Sequence, residues 1–156
     1  MDKKPSMKIF EHLSDLETQV GRSLGLSDWI TIEQSRIDRF AEATGDHQWI
    51  HVDPLRAARG PFGAPIAHGF LTLSLLPAFF ETAFAISDVR MGVNYGLNRV
   101  RFTAPVPVGS RLRAHFKLLA YERIEGGAQL NVEASIEREA APKPVCVAES
   151  LTRRYL

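Results

Sequence analysis

The residues best able to do chemistry lie close together near the middle of the chain. Asp46, His47 and His51 fall within one short stretch, and a His68-Gly69 pair comes later. A carboxylate and an imidazole that converge on one water molecule can activate it, because histidine titrates near neutral pH and the carboxylate supports its positive form. Asp46 and His51 are therefore the candidate pair for acid–base chemistry.

Gly69 offers a third group of a different kind. An apolar run begins beside it and predicts a helix start, where backbone N–H groups have no intrahelical partner. A carbonyl placed there would be polarised, as in an oxyanion hole. Glycine also lets a substrate approach the backbone closely. The three groups together favour chemistry beside a carbonyl.

A metal site is the first alternative for the same stretch. His47 and His51 are four residues apart, so on a helix they would share one face with Asp46 nearby. Gly45 and Pro54 interrupt such a helix, however, and no further ligand follows at a familiar spacing. We therefore predict no metal.

Structural explanations stay open for each candidate. Asp46 follows Thr44-Gly45, where it is an ordinary residue of a turn that ends a helix. His51 could be a buried histidine with satisfied hydrogen bonds, and His68 a residue at a helix start. Cys146 lies in an alternating strand pattern and no serine stands in a Gly-x-Ser-x-Gly elbow, so a nucleophilic mechanism is not favoured.

The composition excludes several classes of protein. The chain has 156 residues, of which 45% are hydrophobic and 24% charged, as expected for one globular domain. Its 19 basic and 18 acidic residues give a net charge of +1, which does not favour nucleic-acid binding. The start is charged, and no apolar run reaches the ~20 residues of a membrane span. The single cysteine fits a reducing compartment, and we expect a cytoplasmic protein without membrane association.

The sequence pattern predicts mainly helices in the first half of the chain. Apolar residues recur at helical spacing from Ile9 to Val20, which predicts an amphipathic helix ending near Gly21 or Gly25. The later predictions are an extended piece at 29–32, a helix that begins with a capping box at Thr31 and Gln34 and ends at Thr44-Gly45, and an ordered loop over 45–67 with one helical turn at 54–59.

The centre and the second half change character. Residues 68–84 are apolar nearly all round, which predicts a helix in the middle of the fold, kinked or split by Pro77. Period-two alternation after Asp88 predicts long antiparallel strands, with a tight hairpin at Gly126-Gly127. We therefore expect an α+β protein of the hot-dog type, one domain over 1–156 in which an antiparallel sheet curves around the central apolar helix and residues 1–25 add an N-terminal helical extension.

Three segments resemble one known family. Residues 40–54, FAEATGDHQWIHVDP, are similar to the hydratase motif of MaoC-like (R)-specific enoyl-CoA hydratases, and more narrowly of the branch similar to nodulation protein N. Residues 63–70, GAPIAHGF, resemble the family's segment entering the central helix. Residues 94–106, NYGLNRVRFTAPV, resemble its following strand. The resemblance covers most of the chain.

The resemblance implies an activity and roles for the candidates. The family adds water across a trans-2-enoyl thioester to give the (R)-3-hydroxyacyl product, and needs no metal or redox cofactor. Asp46 and His51 match the residues that hold and activate the water, and Gly69 matches the glycine whose N–H binds the thioester carbonyl. A homodimer with sheets joined edge to edge and a coenzyme A thioester substrate are also implied. The candidate substrate-binding residues are Trp49, His68, Asn94, Tyr95, Gly96, Arg99 and Arg101.

Two departures from the family pattern bear on the substrate. Many members have Asn-Pro where this chain has Gln48-Trp49, and we expect Trp49 to shape the acyl pocket. Some members carry a supporting serine in the central helix near the position of Pro77. Arg99 and Arg101 are candidates for the coenzyme A phosphates, because arginine suits phosphate recognition. A hot-dog acyl-CoA thioesterase and a non-catalytic acyl-thioester binding module stay open as alternative functions.

Overall fold

A long antiparallel sheet dominates the computed structural model, which describes residues 6–156. Helical segments come mainly from the first half of the chain and strands from the second. The strands are β1 (Lys8–Phe10), β2 (Ser23–Leu26), β3 (Ile30–Thr31), β4 (Phe84–Ile86), β5 (Met91–Phe102), β6 (Arg111–Ile124), β7 (Gly127–Arg138) and β8 (Cys146–Tyr155). The helices are a 3₁₀ helix (Leu13–Gln19), α1 (Gln34–Thr44), α2 (Trp49–Val52), α3 (Pro54–Ala58), α4 (Gly69–Ser74) and α5 (Leu76–Ala83).

The main sheet has the strand order β2-β6-β7-β8-β5, and β3 also pairs with β6. All of its pairs are antiparallel, as the alternation predicts. The hairpin between β6 and β7 turns at Gly126, whose φ of 77° lies in the left-handed region that glycine adopts freely. Strands β1 and β4 form a separate parallel pair that the sequence pattern does not predict.

The inner face of the sheet covers the central helical segment. Along β6, the alternate residues Leu112, Ala114, Phe116 and Leu118 are buried, while their neighbours are partly or fully exposed. α4 packs against β8 and α5 against β6. Phe116 stacks on Phe80 of α5 with ring centroids 4.3 Å apart. The predicted architecture, an antiparallel sheet around a central helix, is confirmed.

The central helix is split, as Pro77 predicts. Its two halves, α4 and α5, are separated at Leu75, and Pro77 is the second residue of α5. Proline fits there because a first-turn residue has no intrahelical N–H bond to lose. The prediction that the whole segment is enclosed fails at Phe70, whose side chain is 70% exposed. Helix α5 also ends one residue before Phe84, which begins β4.

The N-terminal helix differs from its prediction. Residues 1–5 of the predicted extension lie outside the described residues; within 6–25 only Leu13–Gln19 is helical, and it is a 3₁₀ helix with Leu13 and Leu16 buried. With about three residues per turn, a 3₁₀ helix places these two leucines on one side. Ile9 and Val20 are exposed, so they do not extend the apolar face. Residues within the predicted extension instead form β1 and β2, the second of which pairs with β6.

The capping box predicted at Thr31 is wrong. Helix α1 begins after Glu33, and no side chain caps it. Its end is as predicted: Gly45 has φ 81° and closes the helix with a backbone hydrogen bond to the carbonyl of Ala41. The loop that follows contains the expected turn α3, and also α2, which carries His51.

Strand β5 is the exception to the half-buried pattern. It pairs with β8 on one side, and almost every residue along it is exposed. Exposed apolar side chains recur along it at Met91, Val93, Tyr95 and Leu97. Across residues 6–156, no helix is long and apolar enough to cross a membrane.

Candidate active site

The sequence candidates Asp46, His51 and His68 converge at one place. Asp46 directly follows the glycine that ends α1, His51 lies in α2, and His68 precedes the first residue of α4. One nitrogen or oxygen atom from each side chain lies within 4.8 Å of the others. The short α2 is what brings His51 inward, where its side chain is only 6% exposed.

The hydrogen bond of His51 fixes the position of its proton. Its Nδ1 lies 2.6 Å from the carbonyl oxygen of Ile66. A carbonyl oxygen can only accept, so Nδ1 carries the hydrogen and donates it. In the neutral ring Nε2 then holds the free lone pair, which is the form that a general base requires.

The environment of His51 favours this neutral form. Burial lowers the pKa of His51 below its ordinary 6.5, and the nearby His68 lowers it further. The hydrogen bond to Ile66 and the charge of Asp46 act in the opposite direction but do not outweigh burial. His51 is therefore neutral at neutral pH and able to accept a proton.

His68 contacts both Asp46 and His51 and holds them in position. Its ring stacks on that of His51, with centroids 3.8 Å apart and planes at 24°, and Phe40 packs against it at 4.9 Å. Its Nε2 donates to the backbone carbonyl oxygen of Asp46 at 3.0 Å. Its Nδ1 is buried and has no hydrogen-bond partner in the part of the chain that the structure describes.

Asp46 forms a structural turn and at the same time keeps its carboxylate available for chemistry. Its Oδ1 accepts the backbone N–H of Gln48 at 3.3 Å, the arrangement of a turn-forming aspartate. The residue is nevertheless exposed, so its carboxylate can also accept a hydrogen bond from water. The turn orients the carboxylate and does not exclude it from chemistry.

A metal ion fits these three residues poorly. His51 and His68 each use one ring nitrogen on a backbone carbonyl, which leaves one nitrogen per ring for a ligand bond. Imidazole binds metals through a lone pair in the ring plane, and in two rings stacked at 24° these planes are nearly parallel. The arrangement suits proton transfer on a water molecule better than coordination.

Gly69 opens α4 at the edge of an apolar cavity of about 370 Å³. Thr72, Phe102 and Val106 also line it, and the Thr72 Oγ1 is buried without a hydrogen-bond partner among residues 6–156. A Cβ on Gly69 would lie 2.9 Å from the ring of Phe102, so a larger residue here requires that ring or the helix start to move. The cavity is within the size range of small-molecule sites.

The other predicted substrate residues are not gathered at this cavity. Asn94, Tyr95 and Gly96 line a second cavity beside α4 and α5, and the ring of Tyr95 also lies 3.6 Å from the Arg153 guanidinium. Trp49 lies under the Arg56 guanidinium at 4.5 Å, and a Cβ on Gly60 would lie 2.8 Å from its ring, so it packs α2 onto α3. Its role in the acyl pocket stays a prediction.

Arg99 and Arg101 line a third cavity, together with Glu133 and Glu149. Both arginines are exposed, and the two glutamates reduce the positive potential there. Thr103 lines this cavity and also the cavity that contains Gly69, so the two are neighbours.

Gln34 is a supporting residue that the sequence analysis does not find. Its Nε2 donates to the backbone carbonyl of His51 at 2.8 Å and to Asp38 Oδ1 at 2.9 Å, which ties α2 to α1. Ile66 contributes through its backbone alone. A carbonyl carries no signal in the residue type, and a glutamine at a helix start reads as a capping residue.

Comparisons with known proteins support the fold and point to one family. The family model described as MaoC like domain matches residues 15–140. The 3-hydroxyacyl-thioester dehydratase Z of Mycobacterium tuberculosis is 53% identical over 148 residues, covering 94% of this chain and 98% of that protein. Nodulation protein N of Rhizobium leguminosarum bv. viciae is 48% identical over 144 residues, covering 90% of this chain and 89% of that protein. The unliganded R-hydratase PhaJ1 of Pseudomonas aeruginosa has the same fold, with a TM-score of 0.74 at 24% identity, covering 92% of this chain and 85% of that one.

Proposed function

Since the chain belongs to the MaoC-like family and is a dehydratase or hydratase, we propose that it adds water to trans-2-enoyl-CoA thioesters to give (R)-3-hydroxyacyl-CoA, and catalyses the reverse dehydration. The observation that carries the proposal is the state of His51. Its Nδ1–H donates to Ile66, its Nε2 makes no hydrogen bond within residues 6–156, the Asp46 carboxylate lies within 4.8 Å of the cluster, and Gly69 directly follows His68 of the same cluster.

In the proposed hydration, Asp46 and His51 hold one water molecule between them. His51 Nε2 removes a proton from the water as its oxygen forms a bond to C3 of the enoyl thioester. The C2=C3 π electrons move towards the thioester carbonyl, and the Gly69 N–H stabilises the developing oxyanion. C2 then receives the proton that His51 took from the water, either directly or relayed through the Asp46 carboxylate, and the dehydration follows the same steps in reverse.

His68 has a positioning role in this proposal. Its ring holds the His51 ring in place by stacking, and its Nε2–H fixes the backbone of Asp46. The neighbouring imidazole also disfavours a positive charge on His51, which keeps the base ready. Gln34 supports the same geometry by holding the His51 carbonyl.

The acyl group of the substrate fits the apolar cavity beside Gly69. Its lining is mostly aliphatic and aromatic, as an acyl chain requires. We assign the coenzyme A phosphates to Arg99 and Arg101, because the cavity that they line shares Thr103 with the Gly69 cavity. The reaction as proposed uses no metal and no redox cofactor.

We also propose that the functional unit is a homodimer joined through β5. The outer edge of this twelve-residue strand has no neighbouring strand among residues 6–156, and Met91, Val93, Tyr95 and Leu97 are exposed along it. A long apolar edge strand exposed to water promotes association with another chain. A second copy is the simplest partner, since a two-fold axis would pair β5 with itself.

The decisive experiment measures crotonyl-CoA hydration by the loss of enoyl-thioester absorbance in Asp46→Asn and His51→Gln variants. Each change is expected to lower kcat/KM by about 10²–10⁴, the usual contribution of one acid–base group. His47→Gln is the matched control, because this neighbouring histidine is exposed and lies 3.9 Å from Glu42.

Parallel measurement of thiol release separates the alternatives. A thioesterase would release coenzyme A, and a non-catalytic binding module would bind the thioester without turnover. Near-wild-type hydration in both folded variants would overturn the roles given to Asp46 and His51.

A further inference from the structure

A cavity of about 480 Å³ lies away from the candidate active site, between α5, β4 and the first residues of β5. None of Asp46, His51, His68 or Gly69 lines it. Its walls include Phe80 and Phe84, but it also contains charged residues: Arg154 of β8, Arg90 before β5, and Glu81 of α5.

Arg154 is an unusual residue for such a place. Its Nε is buried and has no hydrogen-bond partner in residues 6–156. Burial also lowers its pKa, which reflects the cost of keeping the guanidinium charge away from water. The Phe80 ring, 5.5 Å from the guanidinium, is its one aromatic contact in the described chain. Arg154 as a whole is partly exposed, but a charge that is partly withdrawn from water and has no counter-ion within residues 6–156 marks a place where an anion would be stabilised.

Thr152 adds a second unsatisfied group on the same face of β8. It stands two residues before Arg154, so both side chains point to the same side of the strand. Its Oγ1 is buried without a hydrogen-bond partner within the described part of the chain. Thr152 also lines the cavity. A hydroxyl and a guanidinium N–H are therefore both available to one ligand.

The charges of the lining select the class of ligand. No carboxylate in residues 6–156 lies within ion-pair distance of Arg154 or Arg90. With Glu81 included, the lining carries one net positive charge, which matches a monoanion better than a phosphate dianion. The planar fork of a guanidinium fits a carboxylate, and the aromatic walls fit a hydrocarbon.

We propose that this cavity binds the carboxylate of an aliphatic monoanion through Arg154 and Thr152. The carboxylate has two possible sources, a free aliphatic acid or the far end of an acyl substrate. The second source is considered because cavities follow one another along the central helices: one is lined by Gly69 and Thr72, the next by Leu73 and Pro77, and this one by Pro77 and Phe80.

Calorimetric titration with octanoate tests the proposal without using enzyme activity. The wild-type chain is expected to bind octanoate, and Arg154→Met to bind it about ten- to a hundredfold more weakly, as for loss of a hydrogen bond to a charged group. The neutral 1-octanol should bind both proteins equally. Arg153→Met is the matched control, because Arg153 contacts Tyr95 and Gln129 and does not line this cavity.

Two outcomes would overturn the proposal: no octanoate binding by the wild type, or equal binding by folded Arg154→Met. A change of oligomeric state in Arg154→Met without octanoate binding by the wild type would assign Arg154 to a contact between chains. Should Arg154→Met fail to fold, Thr152→Val is the second variant, and it too must weaken octanoate binding while leaving 1-octanol binding unchanged.

The source of the carboxylate is decided by kinetics, and this arm rests on the proposed hydratase function. Enoyl-CoA substrates of equal length, ending in methyl or in carboxylate, are compared in wild type and Arg154→Met. A selective loss of kcat/KM for the carboxylate-ended substrate identifies the acyl chain as the source. Equal losses, together with octanoate binding that depends on Arg154, identify a free acid. Failure of hydration alone leaves the titration result intact.

Discussion

The imidazole rings of His51 and His68 are stacked, with their centroids 3.8 Å apart and their planes at 24°. Two protonated rings at this distance would repel each other strongly in a buried site. A positive charge on His51 is therefore disfavoured beside His68, which contributes to the lowered pKa of His51. Each ring also donates to a backbone carbonyl, so their orientation is fixed by the loops that join α1, α2 and α4.

The pH dependence of activity follows from this stacking. His51 acts as a base only when neutral, and burial and His68 lower its pKa below 6.5. We expect kcat/KM to be on its plateau at neutral pH and to fall as the pH drops through the lowered pKa. In His68→Gln, which keeps a donor for the Asp46 carbonyl, the acid limb should move to higher pH.

The control for this pH profile is His115→Gln, because His115 is an exposed histidine of β6. It should leave the acid limb where it is in the wild type. An unchanged profile in His68→Gln would show that His68 has only a packing role.

Gly69→Ala tests how tightly the start of α4 is packed at the place where the thioester carbonyl is proposed to bind. The new Cβ would lie 2.9 Å from the Phe102 ring, so the ring or the helix start must move. We expect a loss of about 1–3 kcal/mol in the free energy of unfolding, typical of overpacking, and a lower kcat/KM. Denaturant titration measures the first and the hydration assay the second.

A double-mutant cycle identifies the cause of that loss. In a Phe102→Ala background the clash is absent, so Gly69→Ala should cost clearly less stability than in the wild type. Equal costs in both backgrounds would contradict the steric explanation. Gly96→Ala is the control for stability, since a Cβ at this position would have nothing within 4 Å.

The proposed dimer is tested at the exposed edge of β5. Val93→Lys together with Leu97→Lys places two charges on apolar side chains that are 41% and 44% exposed. Light scattering should show a dimer for the wild type and a monomer for this variant. Leu55→Lys, a charge added to the exposed helix α3, should stay dimeric. A wild-type monomer, or a variant that stays dimeric, would contradict association through β5.

Charge reversal at Arg101 tests the assignment of the coenzyme A phosphates. Arg101→Glu is expected to raise KM for crotonyl-CoA with little change in kcat, and to have a smaller effect at high salt. KM for the crotonyl thioester of pantetheine, which lacks the nucleotide, should change little. Lys117→Glu is the control, as an exposed cation on another strand. Equal effects on both substrates would argue against a phosphate contact.

The sequence predicts those parts of the fold that depend on periodic patterns. The alternation along β6, β7 and β8 and the split at Pro77 are both confirmed, because one buried face leaves a regular signal. The 3₁₀ helix is mistaken for an α-helix because the spacing of Leu13 and Leu16 fits either type of helix. The pairing of β1 with β4 depends on residues far apart in the chain, which no local pattern records.

The candidate site is only partly predictable from the sequence. The grouping of Asp46, His51 and His68 follows from residue types on neighbouring loops, and the structure brings the three together. The tautomer of His51 depends on the position of the Ile66 carbonyl. The stacking of the His68 ring on the His51 ring depends on how α2 and α4 are oriented. Both are consequences of tertiary geometry, so residue type alone does not contain them.

The buried thiol of Cys146 gives the molecule a reporter of its own motion. The side chain is inaccessible in the sheet, and burial raises its pKa to about 11, so at neutral pH it is protonated and unreactive. Alkylation can then occur only while β8 is detached from its neighbours. As this is the single thiol of the chain, the labelling rate under native conditions measures how often the sheet opens, without any added probe site.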